Sequence, residues 1–208
     1  MNIQANTLRS FVKHACFGLF ASAALTLSAC SAGSAPAPEP PLAGADIGGD
    51  FELTDKNGET VRWSDFEGQY RIVYFGFAYC PDVCPTDMQR TAQGLAAFAE
   101  LEPELASRVQ PIFITIDPER DTPKVVGEFA SAFSDDLMGL TGTPEQIADA
   151  ASKFRVFYAK GEESEGGGYL MDHSRIVYLF GPSGEPLATL PADKNADAVA
   201  QELAKWVS

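Results

Sequence analysis

The stretch that most constrains this chain is Tyr74-Phe75-Gly76-Phe77-Ala78-Tyr79-Cys80-Pro81-Asp82-Val83-Cys84-Pro85. A run of apolar and aromatic residues stops at two cysteines with three residues between them. The run, from Arg71 to Tyr79, reads as a buried strand because its apolar residues do not alternate with polar ones. The residues after Cys84 read as a helix. Pro85 suits its first turn, where no amide hydrogen bond is lost. Met88, Ala92, Leu95, Ala96 and Phe98 then follow at helical spacing. Both thiols therefore fall at a strand-to-helix corner. The partial positive charge of a helix N-terminus favours thiolate there. Thiolates bind soft metals and attack disulfides, so one of those two chemistries is expected.

The remaining elements follow from pattern. Phe51 to Thr54 and Thr60 to Trp63 flank Asp55-Lys56-Asn57-Gly58, whose Asn-Gly pair signals a hairpin. Val109 to Ile116 reads as a strand, followed by Asp117-Pro118-Glu119-Arg120-Asp121-Thr122-Pro123. Asp121 or Thr122 can cap a helix that begins at Pro123 and carries Val125, Val126, Phe129 and Phe133. Thr143-Pro144-Glu145-Gln146 opens another helix with the same capping residues. Val156 to Tyr158 is a short strand, and Glu162 to Gly168 is a polar, Gly-rich loop. Arg175 to Phe180 and Leu187 to Leu190 form a late hairpin around Gly181-Pro182-Ser183-Gly184. Ala196 to Val207 is a closing amphipathic helix. Strands joined by a helix run parallel and the late hairpin runs antiparallel. The expected fold is α/β: a thioredoxin-like mixed sheet flanked by helices, with an N-terminal β-hairpin.

The N-terminus reads as an address. Residues 1–13 are mostly polar with Arg9 and Lys13, and Ala15 to Ala29 is small or apolar and uncharged. That is a signal-peptide layout, too short for an ordinary spanning helix. It ends in Leu27-Ser28-Ala29-Cys30, which resembles a bacterial lipobox and implies lipid attachment at Cys30. The expected organisation is a lipoprotein signal peptide over 1–29, a lipidated Pro/Ala-rich tether over 30–46 and a folded domain over 47–208. The expected location is the periplasmic face of a bacterial cell envelope, where disulfides persist. The formal charge is -14; beyond residue 29 it is 13 basic against 29 acidic residues, or -16. Such an acidic surface excludes nucleic acid as a partner class and suits a basic protein or a cation.

Two thiolates are half of a soft-metal site. Of the chain's two histidines, His14 lies in the signal segment, which leaves His173 in Met171-Asp172-His173-Ser174. In a thioredoxin-like sheet that loop can reach the edge where Cys80 and Cys84 sit. Two sulfurs and an imidazole suit copper, the thiolates holding Cu(I) and the imidazole accommodating Cu(II). Zinc would want a fourth protein ligand, for which only Asp82 or Asp172 is at hand.

Three motifs in order, from Gly76 to Pro85, from Thr115 to Pro123 and Asp172-His173-Ser174, resemble the Sco/SenC family of thioredoxin-like copper-binding proteins. The likeness runs from about Gly48 to the C-terminus. The resemblance implies copper held by Cys80, Cys84 and His173. It implies a role in maturing the dinuclear copper centre of cytochrome c oxidase, as copper donor, thiol reductant or both. The implied partners are the oxidase's copper-bearing subunit and other copper carriers or thiol reductants. Asp82 is read as a helix cap or a group tuning the thiols, and Asp172 as an acceptor orienting His173. The expected product is a carrier rather than an enzyme. The alternative is a thiol-disulfide oxidoreductase in which Cys80 and Cys84 cycle without copper. A peroxidase of the same fold would use Thr86 and Arg120 beside one cysteine, at a spacing that fits poorly.

Overall fold

The structure is a computed structural model that describes residues 38–164 and 166–208. The expected signal peptide, Cys30 and the first part of the tether lie outside the described residues. The last part of the tether is packed onto the domain: the Leu42 amide donates to the Leu187 carbonyl at 2.9 Å, and the Arg155 guanidinium pairs with Asp46. No helix among the described residues is long and apolar enough to cross a membrane.

The domain opens with the expected hairpin, β1 (Glu52–Thr54) and β2 (Thr60–Arg62), paired antiparallel. Asp55 Oδ1 accepts the amides of Asn57 and Glu59, both at 2.8 Å, and Gly58 takes φ +81°, which glycine adopts without strain. A short 3-10 turn over Trp63–Phe66 leads into β3 (Tyr70–Gly76) and α1 (Val83–Leu101). Then come α2 (Pro103–Ala106), β4 (Val109–Thr115), α3 (Pro123–Ser131), β5 (Met138–Leu140), α4 (Pro144–Lys153), β6 (Tyr158–Lys160) and β7 (Met171–His173). The chain closes with β8 (Val177–Phe180), β9 (Pro186–Leu190) and α5 (Ala196–Trp206).

Five strands form the main sheet in the order β5-β4-β3-β8-β9. Strand β3 lies at its centre, parallel to β4 and antiparallel to β8. Every residue of β3 is buried, as its continuous apolar run requires. Alternation along β3 gives its two faces different jobs. Tyr74 and Gly76 meet α1, where Tyr74 reaches Asp87 and Gly76 abuts Cys84. On the opposite face Phe75 joins an aromatic cluster with Phe154, Trp63 and Phe180, whose ring centroids lie 5.2 to 5.4 Å apart.

Capping follows the sequence closely. Thr122 caps α3 through the Val125 amide with Pro123 at its first position, and Thr143 forms a capping box with Gln146 on α4. Asp121 is not the cap. Its carboxylate is buried and turns instead toward the β3–α1 loop. Strand β3 stops at Gly76, three residues before the expected end, because Phe77 to Cys80 turns back through a Cys80 amide to Phe77 carbonyl bond of 3.2 Å. Strand β6 begins at Tyr158, two residues later than expected, and β5 and β7 had no clear signal because each is only three residues long.

Helix α1 crosses α5 at Gly94, where a Cβ would lie 2.6 Å from Val199 Cβ and 2.8 Å from the Ala196 carbonyl oxygen. Alanine is the better helix former by about 1 kcal/mol, but crowding a packed contact costs about 1–3 kcal/mol. Gly94→Ala should therefore lower the urea midpoint with an unchanged m-value. A midpoint equal to or above the parent's would contradict this packing.

Candidate metal centre

Strand β3 delivers the thiol loop, and β7 delivers the histidine. The Cys84 thiol is fully buried at the second position of α1, and Cys80 lies nearer the surface in the loop before it. The Cys84 amide donates to Cys80 Sγ at 3.4 Å. His173 presents Nε2 3.3 Å from Cys84 Sγ, while its Nδ1 lies 3.0 Å from the Ser174 carbonyl oxygen. That carbonyl fixes Nδ1 as the protonated nitrogen and leaves the Nε2 lone pair facing the sulfur. The rings of Tyr74 and Phe77 stand edge-on to the imidazole, with centroids 6.0 and 6.1 Å away. The three ligand atoms of Cys80, Cys84 and His173 lie within 4.8 Å of one another.

The pocket is shaped for sulfur. A Cβ at Gly76 would sit 3.0 Å from Cys84 Sγ and 2.8 Å from Tyr74 Cε1, so only glycine leaves room for the thiol. Bonds of about 2.3 Å to thiolate and about 2.0 Å to imidazole span the gap between Cys84 and His173. The donor set and its spacing therefore fit a soft metal ion.

The Cys84 thiol is not poised as the helix N-terminus alone suggested. Burial pushes the Cys84 thiol well above its ordinary range, and the neighbouring Cys80 adds to this. The Phe77 amide and Tyr74 hydroxyl pull the other way but do not win. A fully desolvated sulfur loses more than the helix dipole returns. Burial also lowers the His173 pKa, against the Ser174 carbonyl, so the imidazole is neutral at neutral pH.

Two acidic residues behave differently from expectation. Asp172 does not orient His173. It is exposed and pairs in register with Ala159, and alternation along β7 turns it to the face opposite the imidazole. Asp82 occupies the position before α1, but its side chain makes no capping bond; its carbonyl accepts from Thr86 instead. Arg120 is held by Asp117 at 2.5 Å and donates to the Tyr169 carbonyl at 2.9 Å. Neither Thr86 nor Arg120 bonds a thiol, so the peroxidase arrangement is not formed.

The residues that sequence reading missed are polar groups behind the ligands. Asp87, buried on α1, receives Arg175 through Nε at 3.0 Å and Nη2 at 2.7 Å, and the Tyr74 hydroxyl at 3.2 Å. This ties α1, three residues past Cys84, to the residue two past His173. A bidentate guanidinium–carboxylate pair is among the more directional contacts available. The signal was an aspartate one turn beyond Cys84 on the apolar side of α1. Asp121 is the other strut: one carboxylate oxygen accepts the Ala78 amide at 2.8 Å and the Thr115 hydroxyl at 2.6 Å, which pins the thiol loop to the end of β4.

A mixed sheet flanked by helices, with two thiols at a helix start facing an imidazole on a neighbouring strand, defines a thioredoxin-like protein with a soft-metal site. The SCO1/SenC family model matches residues 39–208, and the chain belongs to that family. It is 39% identical over 160 residues to the human mitochondrial protein SCO1 homolog, covering 76% of this chain and 52% of that protein. It is 37% identical over 175 residues to a SCO2-like protein of Rickettsia felis, covering 80% of this chain and 83% of that one. The chain spans little more than half the length of the human relative. The copper-bound structure of Bradyrhizobium japonicum ScoI superposes with a TM-score of 0.69 at 35% identity, over 77% of this chain and 99% of that one.

Because Cys84 is a neutral thiol at neutral pH, a metal that binds it must displace its proton. Loading the reduced protein with Cu(I) in weak buffer at neutral pH should release at least one proton per metal. Apparent affinity should fall as pH is lowered, by about tenfold per pH unit for each proton released. Uptake without proton release would contradict a buried neutral thiol.

Proposed function

We propose that this chain is a membrane-tethered copper carrier that holds its cargo through Cys80, Cys84 and His173. Its destination is the dinuclear copper centre of cytochrome c oxidase. The observation that carries the reading is the convergence of two sulfurs and one imidazole nitrogen within 4.8 Å at the end of β3. The copper bound in the Bradyrhizobium ScoI structure supports the choice of metal. The donor set supports it independently: the thiolates retain Cu(I), and the imidazole makes Cu(II) tolerable.

Unequal burial suits transfer. Cys84 is sealed in the core, whereas Cys80 and His173 lie closer to solvent. A partner's thiols can exchange with the outer ligands first and the inner sulfur last. The copper-bearing subunit of the oxidase is the acceptor, and other copper carriers or thiol reductants act upstream. The sequence ending in Cys30 supports lipid anchoring at the periplasmic face of a bacterial envelope.

One observation favours a second reading. The Cys84 amide donates to Cys80 Sγ, which is how a helix start presents an attacking sulfur. As a thiol–disulfide reductase the pair would pass two electrons and two protons to a partner disulfide and end as the Cys80–Cys84 disulfide. His173 separates the two. Residues 38–208, reduced, should bind one copper per chain, and His173→Ala should lose or weaken Cu(II) binding and alter its thiolate charge-transfer absorption. A parent that binds no stoichiometric copper, or a variant that binds Cu(II) like the parent, would leave the reductase.

A further inference from the structure

Strands β6 and β7 form a two-stranded ribbon outside the main sheet. Its register pairs Tyr158 with His173, Ala159 with Asp172 and Lys160 with Met171. Alternation puts Tyr158, Met171 and His173 on the inner face, where Tyr158 and Met171 pack on the core and His173 meets Cys84. Phe157, Leu170 and Asp172 then fall on the outer face. Phe157 is 66% exposed and Leu170 57% exposed. A sheet face turned to water is ordinarily polar, and this one carries two large apolar side chains on either side of an aspartate.

A further exposed aromatic stands at the mouth of the thiol loop. Tyr79, next to Cys80, is 54% exposed. The Arg120 guanidinium lies 5.3 Å from its ring centroid and 3.6 Å from that of Tyr169, the residue before Leu170. Three of the four exposed large hydrophobic side chains among the described residues thus lie beside, or paired with, the segments that carry the ligands; the fourth, Leu101, ends α1. Apolar groups gathered around one site mark a contact surface more often than scattered ones do.

Its rim is acidic. Asp82 and Glu162 around the patch and Asp172 within it are exposed, and none of them is in an ion pair among the described residues. The nearby cations are already engaged, Lys160 by Glu163 and Arg120 by Asp117. A second copy of this chain would bring the same acidic rim against itself, which like charges disfavour.

We propose that the outer face of the β6–β7 ribbon, together with Tyr79, is the docking surface for the protein that exchanges copper with this chain. That partner meets it with apolar side chains that have lysine or arginine among and around them. The assignment rests on the copper-carrier reading. A partner seated there lies one strand thickness from His173, so docking and ligand exchange occur on the two faces of the same ribbon.

The test uses the full chain in detergent, loaded with copper, and the soluble copper-bearing domain of the oxidase subunit with its cysteines reduced. The Phe157→Ser/Leu170→Ser double variant should bind copper with the parent's stoichiometry and spectrum. It should transfer copper more slowly by about tenfold or more. Transfer by the parent should slow as salt rises, since salt screens the attraction. Equal transfer by the copper-loaded variant, or transfer by the parent that speeds up with salt, would overturn the docking surface alone. Self-association of the parent that the variant abolishes would give the patch to a second copy and overturn it as well. A parent that binds no copper would overturn the underlying reading instead.

Discussion

The site exists because the central strand is paired in opposite senses on its two sides. Strand β3 runs parallel to β4 and antiparallel to β8, with Tyr74 opposite both Phe113 and Val177. The antiparallel partner begins where β3 ends. The chain just before β8 therefore arrives at the same edge of the sheet as the chain just after β3. The first of these segments carries His173 and the second carries Cys80 and Cys84. A one-residue slip of β8 against β3 would turn its buried side chains to the wrong face, and the fully buried Val177–Phe180 run makes such a slip costly.

Sheet register brings the segments together, and buried polar contacts set the side chains. Asp121 holds the loop through the Ala78 amide, Asp87 ties α1 to Arg175, and the Ser174 carbonyl fixes the ring of His173. A pair such as Asp87–Arg175, with the carboxylate buried and the guanidinium partly exposed, is weak evidence for stability, because desolvation of the carboxylate offsets much of the attraction. Its value here is geometric: it fixes the distance between the element carrying Cys84 and the one carrying His173. Desolvation likewise favours the protonated form of Cys84, so a metal that binds this sulfur must displace its proton.

Much of this was legible in the sequence, for identifiable reasons. The strand and helix around the thiols stood out because β3 is long and apolar apart from Arg71 and α1 is long and amphipathic. His173 stood out because the domain holds no other histidine. Thr122 and Thr143 were readable as caps because proline follows each. The support around the ligands was less readable, since it depends on tertiary approach. Asp87 had one local signal, its place on the apolar side of α1, and nothing local shows that Asp121 turns inward while Asp172 turns out. The thiolate expected at the helix start does not form at Cys84, because burial of the sulfur outweighs the dipole and depth of burial has no local signature. Of the β6–β7 ribbon only β6 had a signal, displaced by two residues as Val156 to Tyr158, because three-residue strands carry almost no periodicity.

Register and the polar contacts behind the ligands assemble two sulfurs and one imidazole nitrogen into a single site for copper. X-ray absorption at the copper edge, on residues 38–208 loaded with one equivalent, tests this most directly. The account predicts a copper bound by two sulfurs and one imidazole, with no copper–copper scattering. A shell of three or more sulfurs, a copper–copper distance, or oxygen and nitrogen ligands alone would mean that the metal is held elsewhere or between chains, and would contradict the account.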